Sequence, residues 1–259
     1  MKLQDNVAVI TGAGSGIGRA IALAFCQEGA KVAVCDIDKA GADAAVAEIE
    51  AAGGEAIAIE MDVADEAAVN AGVDKAFARF GRIDTMISNA GVQIVHPIED
   101  FPYADFQKVM DIHVGGGFLL TKACVRYMYA QKSGALIYMG SAHSHEASPL
   151  KSAYVAAKHA LLGLGRVMAK EGAQHGVRSN VICPGFVKTP LVEKQIPEQA
   201  SRLGISEADV VARIMLGDTV DQEFTTIQDV ADVAVFLAGF SSNALTGQSI
   251  LVSHGWHMA

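Results

Sequence analysis

The chain has 259 residues, of which 51% are hydrophobic, and a formal net charge of −9. Its length and apolar content predict one large α/β domain, spanning 1–259, and exclude a disordered chain. The acidic balance argues against nucleic acid and anionic membranes as partners, because both attract basic surfaces.

Short features predict the cellular setting. The opening residues, M-K-L-Q-D-N, show no signal-peptide pattern, and no apolar run approaches the ~18 residues of a membrane span. The four cysteines stand singly in apolar or helical stretches, without a C-x-x-C spacing. We therefore expect a cytoplasmic protein whose cysteines are reduced.

The first elements predict a nucleotide-binding βαβ unit. The apolar run 7–10 predicts a strand, a helix follows to about residue 28, and 31–35 predicts a second strand. The loop T-G-A-G-S-G-I-G stands between the first strand and the helix. Its glycines permit a sharp turn and close approach to a pyrophosphate, which the free N–H groups of the new helix also favour. The loop residues predicted to bind a cofactor are Gly12, Ser15, Gly16, Ile17 and Gly18.

An acidic residue closes the second strand. Asp36 follows Gly18 by eighteen positions, where a carboxylate accepts hydrogen bonds from a ribose 2′-hydroxyl and repels a 2′-phosphate. Neither Ser15 nor Ile37 is a basic residue that would attract that phosphate. The sequence therefore predicts NAD rather than NADP as the cofactor.

Two further strands and a long helix are predicted next. The strands are 55–60 and 83–88, and the helix is 103–129. Three consecutive glycines at 115–117 weaken this helix by about 1 kcal/mol each relative to alanine. They therefore either give room to a neighbour or permit a kink.

The stretch from Ser141 to Lys158 carries the predicted chemistry. Ser141 follows a buried strand at 135–139, and the helix 153–170 places Tyr154 and Lys158 one turn apart on the same face. A nearby ammonium group is expected to lower the pKa of a phenol from its usual value of about 10, which makes a usable acid/base. A Y-x-x-x-K pair alone is usually an exposed pair, but Ser141 and the nucleotide loop favour catalysis.

The last part of the chain departs from simple alternation of strand and helix. A strand at 177–183 is followed by the loop P-G-F-V-K-T-P, and the stretch 191–216 predicts two short helices. An insertion here, at about 190–216, is expected to be a small helical lid that closes over substrate and excludes water.

Six ordered motifs together resemble the classical short-chain dehydrogenase/reductase family over essentially the whole chain: T-G-A-G-S-G-I-G, D-V at 62–63, N-A-G at 89–91, Ser141, Y-x-x-x-K and P-G at 184–185. The resemblance implies a single doubly wound, Rossmann-type domain whose seven-stranded parallel sheet is flanked by helices. It also implies a homotetramer with the long helix and the 152–171 helix at its interfaces. The further cofactor contacts that it implies are Asp62, Val63, Asn89, Gly91, Tyr154, Lys158, Pro184, Gly185, Val187 and Thr189.

Two of these positions have more than one interpretation. Asp62 either meets the adenine, as in the family, or caps the next helix, which is predicted to start near Asp65, or does both. Where the family usually has an asparagine that holds a water leading to the lysine, this chain has His113. His113 either relays a proton from Lys158 to solvent or is a packed residue beside a water relay.

Polar residues near the predicted pocket indicate the substrate. Lys151 could meet a carboxylate, with His143 and two glutamines completing its hydrogen bonds. These residues and neighbouring stretches resemble the bacterial D-3-hydroxybutyrate dehydrogenases, which implies oxidation of a short 3-hydroxy acid, (R)-3-hydroxybutyrate, to its 3-oxo acid, acetoacetate. Trp256 either reaches a substrate pocket, its own or a neighbouring subunit's, or packs in an interface. The predicted substrate contacts are Gln93, Ser141, His143, Lys151, Tyr154, Gln195 and Trp256.

The predicted catalytic set is Ser141, Tyr154, Lys158 and His113. Two alternatives remain: an NAD-linked dehydrogenase of another small secondary alcohol or hydroxy acid, and a non-catalytic NAD-binding regulator. The pairs H-x-H at 143–145 and H-x-x-H at 254–257 look like metal ligands, but no spacing matches a structural zinc set, so no metal is expected.

Overall fold

The computed structural model describes residues 1–258, and their side chains except those of residues 190, 191 and 194. The last position of the predicted domain, 259, lies outside the described residues. Within them, seven parallel strands form one sheet in the order β3-β2-β1-β4-β5-β6-β7, which confirms the predicted doubly wound fold. The strands are β1 Val7–Thr11, β2 Lys31–Asp36, β3 Glu55–Glu60, β4 Thr85–Ser88, β5 Gly134–Met139, β6 Val177–Pro184 and β7 Ser249–Val252.

Helices cover both faces of the sheet. Two π-helical turns, Asp111–Gly115 and Val210–Met215, continue from α4 and α8 respectively. None of the helices described is long and apolar enough to cross a membrane. The helices are α1 Gly16–Gln27, α2 Lys39–Ala51, α3 Glu66–Phe80, α4 Tyr103–Met110, α5 Gly116–Gln131, α6 Ser152–Gly172, α7 Pro190–Leu203, α8 Glu207–Asp209 and α9 Ile227–Ala238.

The central strands are continuous apolar runs because both of their faces are covered. Every residue of β1 is buried. One core, with Phe25 and Leu237, packs α1 and α9 on one face, and another, with Val73 and Leu120, packs α3 and α5 on the other. All four cysteines are free thiols, and only Cys26 is partly exposed.

The order of the strands fixes where a ligand can bind. The chain runs outward from β1 through β2 to β3 and then returns to β4, which pairs with the other side of β1. In doubly wound sheets a crevice opens at the carboxyl ends of the strands where the direction reverses. The glycine-rich loop after β1 and the N-A-G turn after β4 both stand at this point.

The predicted continuous helix 103–129 is wrong in one respect. A π-helical turn at Asp111–Gly115 divides it into α4 and α5, just before the glycines at 116 and 117. A Cβ atom on Gly116 would lie 2.9 Å from Val63, and one on Gly117 would lie 2.9 Å from Leu161. The two glycines therefore allow neighbouring side chains to approach the helix closely. The π-helical turn is where α4 ends and α5 begins.

The predicted lid forms a small unit of its own. The helix α7 and the π-helical turn after α8 share a cluster of apolar side chains that includes Ala200, Val210 and Met215. The two predicted helices are therefore present, although the second is mostly π-helical.

Candidate active site

The loops at the carboxyl ends of the strands line a cleft of about 410 Å³. It also contains residues that sequence reasoning did not single out, among them Val92, Ile112 and Met139. The predicted site residues that line it are Gly12, Ser15, Gly16, Ile17, Asp36, Asp62, Val63, Asn89, Gly91, Gln93, His113, Ser141, Tyr154, Lys158, Pro184, Gly185, Val187 and Thr189.

The glycine-rich loop turns with left-handed backbone at Gly12 (φ 63°) and Gly16 (φ 54°). A Cβ atom on Gly16 would meet nothing within 4 Å, whereas one on Gly18 would lie 2.2 Å from the carbonyl oxygen of Gly12. Gly18 therefore packs behind the loop, and Gly16 faces open space. Ser15 is the N-cap of α1, but its side chain makes no capping hydrogen bond. The residues at this helix start fit a dinucleotide phosphate, because its N–H groups are not masked by a side chain.

Two aspartates at the cleft are held by backbone N–H groups. Asp36 Oδ2 accepts from Gly14 N at 2.8 Å, and its Oδ1 accepts from Asp38 N at 2.9 Å. Asp62 Oδ1 accepts from Ala64 N at 2.9 Å. The N-cap of α3 is Asp65, so the interpretation of Asp62 as a helix cap is wrong, and its place in the cleft remains.

Asn89 ties the ends of β1 and β4 together. Its side-chain Nδ2 donates to Thr11 O at 3.0 Å and to Gly12 O at 3.1 Å. The backbone N of Asn89 donates to Thr11 Oγ1 at 3.1 Å. Asn89 therefore fixes the glycine-rich loop against the central sheet, which positions both sides of the cleft.

Tyr154 and Lys158 project from α6 beside the end of β5. Lys158 Nζ donates to Met139 O at 2.7 Å and lies 5.3 Å from the centre of the Tyr154 ring. Ser141 Oγ accepts from His143 N at 3.2 Å, and Ser144 Oγ donates to Lys158 O at 2.9 Å. These hydrogen bonds thus hold the end of the strand and the helix together around three of the four predicted catalytic side chains, those of Ser141, Tyr154 and Lys158.

Burial dominates the electrostatics of this pair. It raises the pKa of Tyr154 to about 12, against the opposing effect of a hydrogen bond with Ser141. It also lowers the pKa of Lys158 to about 7. The expectation that Lys158 lowers the tyrosine pKa below its ordinary value is therefore wrong for this geometry, since desolvation of the phenolate outweighs any help from the ammonium group.

His113 lies against the same pair. Its Nε2 is 2.8 Å from Val92 O, and its ring meets the Tyr154 ring edge-on, with 5.6 Å between centres. Burial and the nearby Lys158 lower the pKa of His113 to about 3, so the imidazole is neutral. Nε2 faces both the carbonyl oxygen of Val92 and its backbone N, the latter at 3.1 Å, and Nδ1 is buried without a partner in the described chain. The ring is packed, and at neutral pH it can accept a hydrogen bond but cannot hold a second proton.

The predicted substrate residues gather in two groups. The side chains of Gln93 and Gln195 contact each other at 3.4 Å, between the N-A-G turn and the lid. Lys151 Nζ lies 3.3 Å from His143 Nε2. The Trp256 ring lies 5.0 Å from that of His143, so Trp256 joins the Lys151 group of its own chain, which lies beside the cleft residue Tyr154 rather than in the lining of the cleft.

Lys151 is a buried cation. It is 7% exposed, and burial lowers its pKa to about 8. Burial and the charges of Lys151 and Lys158 lower the pKa of His143 to about 3. Among the residues that the structure describes, no carboxylate lies within ion-pair distance of Lys151. The site therefore presents an unpaired positive charge next to Tyr154.

Sequence reasoning did not assign a role to Phe186. Its ring lies 4.9 Å from Lys151 Nζ and 5.2 Å from the Trp256 ring. Its position directly after Pro184-Gly185, the loop predicted to line the cofactor, was a signal that could have marked it. No group of three or more His, Cys, Asp or Glu among residues 1–258 is arranged to hold a metal ion.

Comparison with known proteins agrees with this geometry. A family model described as short chain dehydrogenase matches residues 6–200. The chain belongs to the short-chain dehydrogenase family. It is therefore an oxidoreductase whose Rossmann-type fold binds a nicotinamide cofactor, and the glycine-rich loop and α1 fit that group.

Individual relatives match the chain over nearly its full length. The D-beta-hydroxybutyrate dehydrogenase of Rhizobium meliloti is 38% identical, over 98% of this chain and 99% of the relative. That of Cupriavidus necator is 36% identical, over 98% of each. The solved structure of an NAD+-bound xylitol dehydrogenase is 32% identical, with a TM-score of 0.93 over 98% of this chain and 100% of the other.

Proposed function

We propose that the protein catalyses the NAD-dependent, reversible oxidation of (R)-3-hydroxybutyrate to acetoacetate. The observation that carries this proposal is Lys151, a buried ammonium group without a carboxylate partner in the described chain, close to Tyr154 through His143. A buried charge is costly unless it is paired, so the pocket is suited to a substrate that brings its own carboxylate.

The carboxylate and the hydroxyl of a short 3-hydroxy acid are separated by two carbon–carbon bonds. Lys151 supplies the charge for one end, and Ser141 and Tyr154 supply hydrogen bonds for the other. A neutral alcohol would leave the ammonium group unpaired, which disfavours its binding. Two relatives whose names state this activity, at 38% and 36% identity, support the same substrate class.

The nicotinamide cofactor supplies the hydride acceptor, and the protein handles the proton. Burial raises the pKa of Tyr154 to about 12, so the phenol is protonated at neutral pH and must release its own proton as it accepts that of the substrate hydroxyl, while Ser141 holds the oxygen. Lys158, whose pKa is about 7 and whose Nζ is held by Met139 O, is partly neutral at that pH and is the nearby base that can receive the released proton. The imidazole of His113 lies near Lys158 and its Nδ1 has no partner in the described chain, so a water bound to Nδ1 can connect the lysine to solvent.

Asp36, at the carboxyl end of β2, supports NAD rather than NADP as the cofactor. The Asp36 carboxylate is fixed by two backbone N–H groups and lines the cleft. A fixed negative charge there repels a ribose 2′-phosphate and accepts from a free 2′-hydroxyl. The NAD+-bound structure of the xylitol dehydrogenase supports the same choice.

The test is a substrate panel followed by NADH absorbance. It compares (R)-3-hydroxybutyrate with its (S) enantiomer, 2-butanol and xylitol, each with NAD and with NADP. We expect the highest kcat/KM for (R)-3-hydroxybutyrate with NAD. Equal efficiency with 2-butanol or xylitol would assign the protein to neutral secondary alcohols, and NAD binding without any turnover would make it a non-catalytic NAD-binding protein.

A homotetramer is part of the proposal. Large apolar side chains are exposed on the helices expected to form subunit interfaces: Tyr103 on α4 is 71% exposed, Phe118 on α5 is 53% exposed, and Val167 on α6 is 49% exposed. Exposed apolar side chains on adjacent helices favour association with a second copy. Light scattering after size-exclusion chromatography should give four times the 27.0 kDa mass of the chain.

A further inference from the structure

The segment that follows β7, residues 253–258, folds back over the substrate pocket. It turns with left-handed backbone at His254 (φ 50°) and Gly255 (φ 72°), and Trp256 N donates to Ser253 O at 2.9 Å. Left-handed backbone is unfavourable for a residue with a side chain, so His254 must be held in place by its surroundings.

Trp256 contacts the two groups that touch Lys151. Its ring lies 5.0 Å from that of His143 and 5.2 Å from that of Phe186. His143 Nε2 is 3.3 Å from Lys151 Nζ, and the Phe186 ring is 4.9 Å from it. The position of the indole therefore determines how closely both neighbours surround the ammonium group.

Two histidine–carboxylate pairs flank the tryptophan on the segment. His254 Nδ1 is 2.7 Å from Asp221 Oδ2, in the loop after the lid, and the backbone carbonyl of His254 accepts from Val220 N at 2.9 Å. His257 Nδ1 is 2.9 Å from Glu146 Oε1, in the loop before α6. The two pairs thus attach the segment to opposite sides of the pocket.

A contact between two imidazole rings adds to the His257–Glu146 pair. The His257 ring stacks on that of His145, with 5.3 Å between centres and 13° between planes. The His145 side chain is half-buried, and its Nε2 is buried without a partner in the described chain. His257 therefore covers His145 and holds Glu146 at the same time.

We propose that the pairs His254–Asp221 and His257–Glu146 form a double clasp that positions Trp256, and through it Lys151, for binding the substrate carboxylate. The four residues are positioning residues, since none of them is in the cofactor cleft. Partly exposed pairs of this kind contribute little to overall stability. The effect of the two histidine–carboxylate pairs is local, because they hold one short segment, residues 253–258, at two points on either side of Trp256.

The nature of the bound acid rests on the proposed function, but the position of Trp256 does not. The chain has a single tryptophan, so its intrinsic tryptophan emission reports on Trp256 alone. Emission and acrylamide quenching of the free protein therefore test the clasp even if 3-hydroxybutyrate is not the substrate.

The experiment compares the wild-type protein with His257→Ala, Glu146→Gln and the double variant His254→Ala/His257→Ala. We expect red-shifted emission and stronger acrylamide quenching in all three, and most in the double variant. The KM for 3-hydroxybutyrate should rise about fivefold in each single variant and more in the double variant, which corresponds to the upper end of partly exposed pairs. The kcat and the KM for NAD should change less than twofold. A general loss of rigidity in the protein would instead change all three constants together.

The control is His175→Ala, which removes a half-buried histidine that stacks on Tyr129 just before β6, at the edge of the sheet away from the cleft loops. It should leave emission and both KM values unchanged. Unaltered emission and quenching in the folded double variant would overturn the clasp, as would an equal rise in KM for NAD and for the acid. If His257→Ala does not fold, Glu146→Gln tests the same pair from an exposed loop. Absence of turnover in the wild-type protein would refute the proposed function and leave the emission result to decide the clasp.

Discussion

Lys158 Nζ donates a 2.7 Å hydrogen bond to the carbonyl oxygen of Met139, the last residue of β5. The bond joins the active-site helix to the strand that ends beside Ser141. A buried lysine whose pKa falls to about 7 would otherwise have no fixed position, so this carbonyl determines where a proton can be received.

Tyr154→Phe should abolish turnover without preventing NADH binding. The phenol oxygen is the proposed proton acceptor, and loss of a general base typically lowers kcat by about a thousandfold. The measurement is kcat by NADH formation, with nucleotide affinity from the fluorescence of bound NADH. Tyr129→Phe, which removes a phenol hydroxyl at the far end of α5 and keeps the ring that stacks on His175, is the matched control and should behave as wild type. Turnover of Tyr154→Phe within tenfold of wild type would remove the tyrosine from the mechanism.

Lys158→Met should increase stability at pH 7 while activity is lost. The pKa of Lys158 is about 7 in the folded protein and near its usual 10.5 when unfolded, so the unfolded chain binds more protons between these values. The free energy of unfolding of the wild-type protein therefore rises with pH in this window, by up to about 1.4 kcal/mol per pH unit from this group.

Urea unfolding at pH 7, 8 and 9, at one protein concentration, measures that slope. Lys151, whose pKa is about 8, adds to the slope in both proteins, while the raised pKa of Cys26 and Cys35, about 12 each, opposes it above pH 9. The slope should be smaller in Lys158→Met than in wild type. Equal slopes would mean that the lysine is not desolvated in the folded state.

Lys151→Met should weaken binding of the acid and little else. A hydrogen bond to a charged group contributes roughly 1.5–3 kcal/mol, so the KM for 3-hydroxybutyrate should rise about tenfold to a hundredfold. The KM for NAD should not change. Lys170→Met, at the exposed end of α6, is the control. An unchanged KM for the acid would show that its carboxylate binds elsewhere.

Asp36→Asn should relax the preference for NAD. Asparagine retains an oxygen for Gly14 N but carries no charge, so repulsion of a 2′-phosphate is removed. The ratio of kcat/KM for NADP to that for NAD should rise about tenfold, or about 1.4 kcal/mol. Asp38→Asn removes the same charge from the N-cap of α2, which does not line the cleft, and controls for net charge. The same ratio in both variants would exclude a specific role for Asp36.

His113→Asn should reduce the loss of stability in acid. The pKa of His113 is lowered to about 3, whereas the unfolded side chain titrates near 6.5. The unfolded chain therefore binds more protons between pH 6.5 and 3, and wild-type stability falls as pH falls through this window, by up to about 1.4 kcal/mol per pH unit for this group.

Urea unfolding from pH 7 to pH 5 measures the difference. The slope should be smaller in His113→Asn than in wild type, and His175→Asn, at a half-buried histidine just before β6, at the edge of the sheet away from the cleft loops, should retain the wild-type slope. Matching slopes in wild type and His113→Asn would show that the imidazole is solvated or already charged.

The parts of the site that could be predicted from the sequence are those in which the functional residues belong to one continuous stretch of the chain. The glycine-rich loop, the N-A-G turn and Ser141 each follow a strand, and parallel strands bring their carboxyl ends to one edge. Strand β7 has only four residues, all partly exposed, and was not located from its pattern. The glycine triplet left open either room for a neighbour or a kink in the long helix, and it did not predict the π-helical turn that forms there.

Contacts between distant segments could not be predicted. Glu146 and His257 are 111 residues apart, and nothing in either neighbourhood indicates the other. The spacing of Tyr154 and Lys158 predicted their proximity correctly. It could not predict their burial, which reverses the expected direction of the tyrosine pKa shift because desolvation depends on the whole surrounding fold.

Because Gly91 packs directly against His113, the residue types possible at these two positions depend on each other. A Cβ atom on Gly91 would lie 2.3 Å from Cε1 of the His113 ring, which is held by its hydrogen bond to Val92 O. A side chain at 91 and an imidazole at 113 are therefore mutually exclusive. Replacing Gly91 by alanine would therefore force the imidazole of His113 to move, so any substitution at position 91 requires a second change at position 113.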